Sequence, residues 1–274
     1  MSPSPTQPNV PRGWIVPIGG AEEKISDRAI LRRFLELAGG DTARIAIIPT
    51  ASSFDETGER YVDIFTELGV AEAFSLPYRE RTEADRKEWL EQLMSATGVF
   101  FTGGNQLRIS TTLGGTEVST LVRRMNANGV IVGGTSAGAA ILPEHMIAYG
   151  SSGSTPKAGM VSLALGLGLT NRFLIDQHFR ERDRLGRLLC ALSYNPFAVG
   201  LGLDEDTAAF ISPDNVVEVV GSGSVTIVDV AALGHSSIAD AYEGEPLCMT
   251  DIRIHLLPQG GTFALETRQA EPPR

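Results

Sequence analysis

The 274-residue chain has only two cysteines, Cys190 and Cys248, and neither lies in a CxxC or zinc-like spacing. A disulfide framework is thereby excluded, and both thiols are expected reduced. No cluster of His, Cys, Asp and Glu has the spacing of metal ligands, so no metal and no other cofactor is expected. No apolar run approaches membrane-spanning length, and no membrane partner is expected. The opening MSPSPTQPNVPRG lacks the basic start and apolar run of a signal peptide, which predicts a cytoplasmic protein. Basic charge is also short: 23 Lys and Arg against 33 Asp and Glu give a net charge of −10. That balance argues against a nucleic-acid surface, and the acidic excess is accounted for by solubility.

What is present fits one large domain. Hydrophobic residues make up 42% of the chain, enough for a sizeable core, and neither an internal repeat nor a second core is evident. We expect a disordered tail over 1–12, a single α/β domain over 13–267 and a flexible tail over 268–274. Apolar strands at Trp14 to Ile18, Arg44 to Pro49, Ala71 to Leu76, Val99 to Phe101 and Val130 to Val132 alternate with helical stretches. The helices are placed from an N-cap at Ser26 through Ala38, at Asp55 to Leu68, Thr82 to Ser95, Gln106 to Leu113 and Glu117 to Asn128. Such alternation of short strands, apolar on both faces, predicts a mostly parallel sheet covered by helices. Tyr149 to Gly159 reads as a mobile loop. From Thr207 onward, β-rich segments between Gly, Pro, Asn and Asp turns predict antiparallel hairpins at the C-terminal end.

The stretch VIVGGTSAGAAI, Val130 to Ile141, carries G-x-S-x-G between a strand and small helix-tolerant residues. A serine on such a turn presents its hydroxyl to solvent, and the amide after it faces the place where an oxyanion forms. Ser136 is therefore a candidate nucleophile, against the alternative of a glycine-rich turn that cradles phosphate. Two further glycine pairs close strands, Gly19-Gly20 and Gly103-Gly104. The first is read as a packing turn, and the second as a source of an oxyanion-binding amide beside Ser136.

A serine needs a base, and the base an orienting group. Of four histidines, His145 follows the serine too closely, while His235 and His255 sit in a turn and a late strand. His178 stands at the expected carboxyl end of the strand beginning at Arg172, on the rim where Ser136 should lie. In the strand Val199 to Glu205, the bulky odd positions continue into Glu205, while Asp204 and Asp206 face the other way. Glu205 is accordingly the candidate orienter, with an acidic turn in water as the alternative. The arginines after His178 offer carboxylate recognition at Arg180, Arg182 and Arg184. A solvated helix start laced with Glu181 and Asp183 is the alternative for these and the preferred reading for Arg187.

Five blocks in order resemble the cyanophycinase family, serine peptidases grouped with aspartyl dipeptidases of the peptidase E type. They are Pro17 to Gly20, Phe101 to Gln106, Gly134 to Ala139, Asp176 to Arg184 and Gly202 to Ala208. The resemblance implies a class I glutamine-amidotransferase-like three-layer α/β sandwich, a homodimer, and hydrolysis of cyanophycin to β-Asp-Arg dipeptides. It also implies Ser136, His178 and Glu205 as the catalytic residues and the amides of Gly104 and Ala137 as the oxyanion hole. Gln106, Asp176, Gln177, Arg180, Arg182 and Arg184 would bind or shape the substrate site. A dipeptidase for aspartyl or isoaspartyl dipeptides is the second reading. A peptide-binding protein without activity is a third, which the intact serine, histidine and glutamate oppose.

Overall fold

Short apolar runs closed by glycine or proline form the strands, and helices with one apolar stripe fill the connections between them. The structure, a computed structural model, describes residues 2–273; Met1 and Arg274, which belong to the two expected tails, lie outside the described residues. In chain order the first elements are β1 (Ile15–Ile18), α1 (Ala29–Ala38), β2 (Arg44–Ile48), α2 (Thr57–Glu67), β3 (Glu72–Ser75), α3 (Lys87–Met94), β4 (Gly98–Phe101), α4 (Gln106–Leu113), α5 (Glu117–Ala127), β5 (Ile131–Thr135) and α6 (Ala137–Ala140). There follow β6 (His145–Gly150), β7 (Val161–Leu165), β8 (Phe173–Gln177), α7 (Leu185–Tyr194), β9 (Val199–Leu203), β10 (Thr207–Ile211), β11 (Val216–Gly221) and β12 (Ser224–Asp229). The chain ends with β13 (His235–Ser236), β14 (Met249–Thr250), β15 (Arg253–Pro258), β16 (Thr262–Ala264) and β17 (Gln269–Glu271).

The expected strand–helix alternation is present, but the sheet it builds is mixed. Its nine strands run in the order β17-β16-β11-β10-β1-β5-β4-β2-β3. The half from β1 to β3 is parallel, and β10, β11, β16 and β17 extend it antiparallel past β1. The expectation of a mostly parallel sheet is corrected here. A strand buried on both faces has the same apolar pattern in either direction, so β10 carried no mark of its orientation.

A second sheet, in the order β15-β12-β9-β8, stands apart from the first. His178 and Glu205 follow its parallel pair β8 and β9, whereas Ser136 follows β5 of the first sheet. The single rim expected from sequence is thus the meeting of two sheets.

Side-chain parity sorts the layers. Val16 and Ile18 of β1, with Ile45 and Ile47 of β2, pack against α1 and α2. Their alternates Ile15, Ala46 and Ile48 face a second core shared with α3, α4 and α5 and with the inner face of β8, β9 and β12. On the outer face of that second sheet, Leu188 and Leu192 of α7 pack with Leu174 and Val228. Over this part the order is helix, sheet, sheet, helix, one layer more than expected.

Several local arrangements go beyond the sequence reading. Helix α1 starts after Arg28 rather than at Ser26, whose amide instead donates to Glu23 Oε1 at 3.1 Å. Residues 269–271, in the tail expected to be flexible, pair as β17 with β16. The stretch from Tyr149 to Gly159 closes the β6–β7 hairpin and is tied to the chain after His178: Gly153 N donates to Asp183 O at 2.6 Å, and Gly186 N to Gly153 O at 2.9 Å. At the other end, Ser2 Oγ lies 3.1 Å from Glu144 Oε1, and the Arg12 guanidinium donates to Asn126 Oδ1 at 3.0 Å.

Helix α6 lies against the end of β4 with no room between them. A Cβ on Gly138 would stand 2.2 Å from the carbonyl oxygen of Phe101. Backbone cannot yield as a side chain can, so Gly138→Ala is expected to cost about 1–3 kcal/mol of stability, read as a lower midpoint in denaturant unfolding.

Candidate active site

Strand β5 ends at Thr135 and α6 begins at Ala137, so Ser136 alone makes the turn, at φ 53° and ψ −111°. That conformation is strained for a residue with a Cβ and persists only where its surroundings enforce it. Here the Ser136 amide donates to Ile18 O at 2.9 Å. Gly134 lies so close to α6 that a Cβ on it would stand 2.5 Å from Gly138 O. His178 also has positive φ, 47°, and its amide donates to Gly19 O at 2.8 Å.

These two turns bring the side chains together. Ser136 Oγ lies 2.9 Å from His178 Nε2, and His178 Nδ1 lies 2.6 Å from Glu205 Oε1. With the carboxylate accepting from Nδ1–H, Nε2 presents its lone pair to the hydroxyl, an arrangement able to take the serine proton. The neighbouring acids are held elsewhere. Asp204 Oδ2 accepts from the Ser224 amide and hydroxyl at 3.1 and 3.0 Å, and Asp206 Oδ1 accepts from Glu23 N at 2.8 Å. Burial lowers the His178 pKa below its ordinary value, helped by Arg182 and Arg184 and opposed by Glu205. The ring is therefore neutral at neutral pH.

The end of β4 runs beside the serine. A Cβ on Gly103 would lie 3.5 Å from Ser136 Cβ, and Gly104, at φ 141°, is pressed against Ala51, whose carbonyl oxygen would meet a Cβ at 2.1 Å. The Gly104 amide makes no hydrogen bond among the described residues. Ala137 opens α6, where an amide lies outside the helix's own ladder. A cleft of about 480 Å³ lies over Ser136, Gly104 and His178, with Glu22, Lys24 and Arg60 among its walls.

The residues expected to contact substrate separate into two groups. Arg180 and Arg182 are exposed, Arg180 pairing with Glu181 at 3.1 Å. Arg184 is buried and donates to the backbone oxygen of Gln177, to Gln177 Oε1 at 3.0 Å and to Asp176 Oδ1 at 3.4 Å. Burial pulls its pKa down to about 10 against the charge of Asp176, which leaves it cationic at neutral pH. Gln106 Nε2 donates to the carbonyls of Ile147 and Ala148 at 3.2 and 2.9 Å. Arg187, read from sequence as part of a solvated helix start, is instead buried and grips Asp176 through Nε at 2.6 Å and through Nη2. It lies in α7, which is buried along most of its length with Leu188, Leu189 and Leu192.

Two features escaped the sequence. Gly20, taken only as a packing turn, lies against the imidazole itself: a Cβ there would stand 2.4 Å from His178 Cε1. Glu22 is buried, with Thr135 Oγ1 and the Tyr61 hydroxyl donating to its carboxylate and Lys24 Nζ 3.1 Å away. Burial, with the Glu22 charge, raises the Tyr61 pKa well above its usual value. Flanked by Glu23 and Lys24, Glu22 reads in sequence as surface.

Residues 15–219 match the profile of Peptidase family S51. The chain is 42% identical over 260 residues to the cyanophycinase of Geminocystis herdmanii, spanning 94% of this chain and 96% of that relative. It is 43% identical over 262 residues to the cyanophycinase of Thermosynechococcus vestitus, spanning 95% and 81%. Among solved structures, a peptidase from an acI-B1 actinobacterium superposes with a TM-score of 0.68 at 20% identity, over 93% of this chain and 97% of that one. At that identity the likeness speaks to the fold.

Asp176 is the sole carboxylate touching Arg184 and Arg187 among the described contacts, so Asp176→Ala strands two buried cations. A loss of about 3–5 kcal/mol is expected in denaturant unfolding. In an NMR titration the His178 ring is expected to protonate below its ordinary value of 6.5; a midpoint above that value would contradict the dominance of burial.

Proposed function

The chain belongs to Peptidase family S51, and from that premise we propose that it is a serine-type exopeptidase that hydrolyses cyanophycin, multi-L-arginyl-poly-L-aspartate, to β-Asp-Arg dipeptides. The observation that carries this reading is the relay Ser136–His178–Glu205, at 2.9 and 2.6 Å, beside an unpaired glycine amide. Relatives at 42% and 43% identity over nearly the whole chain bear the name cyanophycinase, which favours the polymer over short aspartyl dipeptides.

In this mechanism Ser136, on a nucleophile elbow, attacks a backbone carbonyl of the aspartate chain while His178 takes its proton. The oxyanion is received by the amides of Gly104 and Ala137. His178 then gives its proton to the departing amine, and water activated by the same ring cleaves the acyl-enzyme. Glu205 fixes the ring and stabilises its charged form during each transfer.

The substrate's chemistry assigns tasks to the arginines. Each β-carboxyl is engaged in an amide with arginine, so a branch offers one free α-carboxylate and one guanidinium. Exposed Arg180 and Arg182 would pair with that carboxylate. Asp176, Gln177, Arg184 and Arg187 hold the segment that carries them, while Gln106 holds β6 through the carbonyls of Ile147 and Ala148. A glutamine-amidotransferase-like lineage is supported by the five parallel strands with the serine at the β5 turn and helices on the far face.

A homodimer is part of the same reading. Exposed Leu165 is the β-ladder partner of His145, and exposed Phe197 lines a hollow with His145; a second copy would cover both apolar side chains. Light scattering is expected to give twice the chain mass. We also place the enzyme in the cytoplasm, where the exposed thiol of Cys248 stays reduced. Among the described residues, no helix is long and apolar enough to cross a membrane.

Incubation with insoluble cyanophycin is expected to release β-Asp-Arg, identified by mass; inert polymer with cleaved Asp-X dipeptides would move the reading to a dipeptidase. Ser136→Ala is expected to lower kcat on the order of a millionfold. Gly104→Ala should cost roughly a hundredfold or more, since the new Cβ must push against Ala51 O and so displaces the amide. Because His178 works as the neutral base and its pKa is lowered, kcat/KM should rise with pH through a midpoint below 6.5 and then hold level.

A further inference from the structure

Beside the cleft over Ser136, the carboxyl ends of β2 and β3 and one side of α4 enclose a second cavity, of about 240 Å³. In parallel sheets this is the end where ligands bind. Its polar walls include Thr50, Ser52, Tyr78, Arg79, Arg108 and Thr111, and no carboxylate lines it. Ser52 and Arg108 also line the cleft over Ser136, so the two spaces adjoin.

Two of these walls lack partners. Thr50 and Tyr78 are 8% and 1% exposed, and neither hydroxyl has a hydrogen-bond partner among the described residues. Buried hydroxyls are almost always paired, and one left unpaired is unfavourable unless something else meets it. The Tyr78 ring is held in place edge-on to Trp89, with centroids 5.0 Å apart. Burial raises the Tyr78 pKa, so the group is an O–H donor throughout the working pH range. Arg108 spends one nitrogen on the Ser52 carbonyl at 3.2 Å and is otherwise exposed; Arg79 pairs with Asp55, which lies outside the cavity walls.

The chemistry of the walls selects the guest. Hydroxyl hydrogens and guanidinium groups donate, and a guanidinium guest would bring donors and positive charge to walls that already supply both. A carboxylate brings only acceptors and the opposite charge. We propose that this cavity is an accessory subsite that receives the α-carboxylate of an arginyl branch neighbouring the one being released, with the Thr50 and Tyr78 hydroxyls and the Arg108 guanidinium as its donors. This rests on the cyanophycin reading given above. It accounts at once for the unpaired hydroxyls, the lack of acidic lining and the continuity with the serine cleft.

The test uses substitutions that remove one oxygen each and no intramolecular bond, Tyr78→Phe and Thr50→Val, on the full-length enzyme with cyanophycin as substrate. Each is expected to raise KM about tenfold, the worth of a hydrogen bond to a charged group, while kcat changes less than about twofold. Arg108→Gln is expected to act in the same direction. Unchanged KM in both hydroxyl variants, with thermal midpoints equal to or above that of the unsubstituted enzyme, overturns the subsite and leaves a cavity filled by water alone. If the unsubstituted enzyme leaves cyanophycin intact, the reading of function fails, and the cavity is judged by calorimetric titration of the β-Asp-Arg dipeptide into Ser136→Ala protein. A roughly tenfold weaker affinity when Tyr78→Phe is added sustains the subsite; equal affinity, or no binding in either, overturns it.

Discussion

The turn Gly19-Gly20 joins the two sheets, and the active-site geometry depends on it. Gly19 donates to Thr207 O and accepts from the His178 amide, both at 2.8 Å, while Gly20 O accepts from Asp206 N at 2.8 Å. Neither residue could carry a side chain: Cβ atoms would stand 1.9 Å from Asp204 O and 2.4 Å from the His178 ring. The serine reaches the same strand end through its bond to Ile18 O. Ser136 and His178 therefore hang from one short piece of β1 by backbone bonds, although they follow strands of different sheets. A relay built this way is held to tenths of an ångström without relying on flexible side chains.

Much of this could be read from residue types. The strand–glycine–serine–glycine–helix run marked the Ser136 turn because only small neighbours tolerate that geometry, and the two-residue period of Val199 to Leu203 singled out Glu205 over Asp204 and Asp206. The existence of a second sheet could not be read. β8 and β9 are buried on both faces, and burial of that kind does not state in which sheet or direction a strand lies. Arg187 and Glu22 were hidden for a related reason. Each is a charged residue among residues of ordinary surface or helix character, and only the tertiary partners, Asp176 for one and Thr135 with Tyr61 for the other, reveal burial.

Two buried carboxylates, Asp176 and Glu22, flank the relay and share a logic. The carboxylates of Asp176 and Glu22 are each met by several donors at once, so their desolvation is offset locally. A hydrophobic cluster of similar volume could supply comparable stability. It could not supply direction, because apolar contacts tolerate rotation and sliding, whereas a bidentate pair from Arg187 to Asp176 admits one orientation. Asp176 lies two residues before His178, and Glu22 holds the hydroxyl of the residue before Ser136. The costly charges thus sit where orientation matters most.

Electrostatics also limits how such a substrate can be recognised. The chain carries a formal charge of −10, while each arginyl-aspartate unit of cyanophycin bears one guanidinium and one carboxylate and is neutral overall. Long-range attraction between the two is therefore weak, and beyond a Debye length of about 8 Å at physiological salt little of it survives. Discrimination must come from contacts that separate the two ends of a branch. In the proposed reading, exposed Arg180 and Arg182, and the donor-lined cavity at Thr50 and Tyr78 adjoining the serine cleft, would each address the carboxylate end. Two carboxylate contacts spaced along the polymer would read its repeat, which a free dipeptide lacks, and so favour the polymer without any net charge on it.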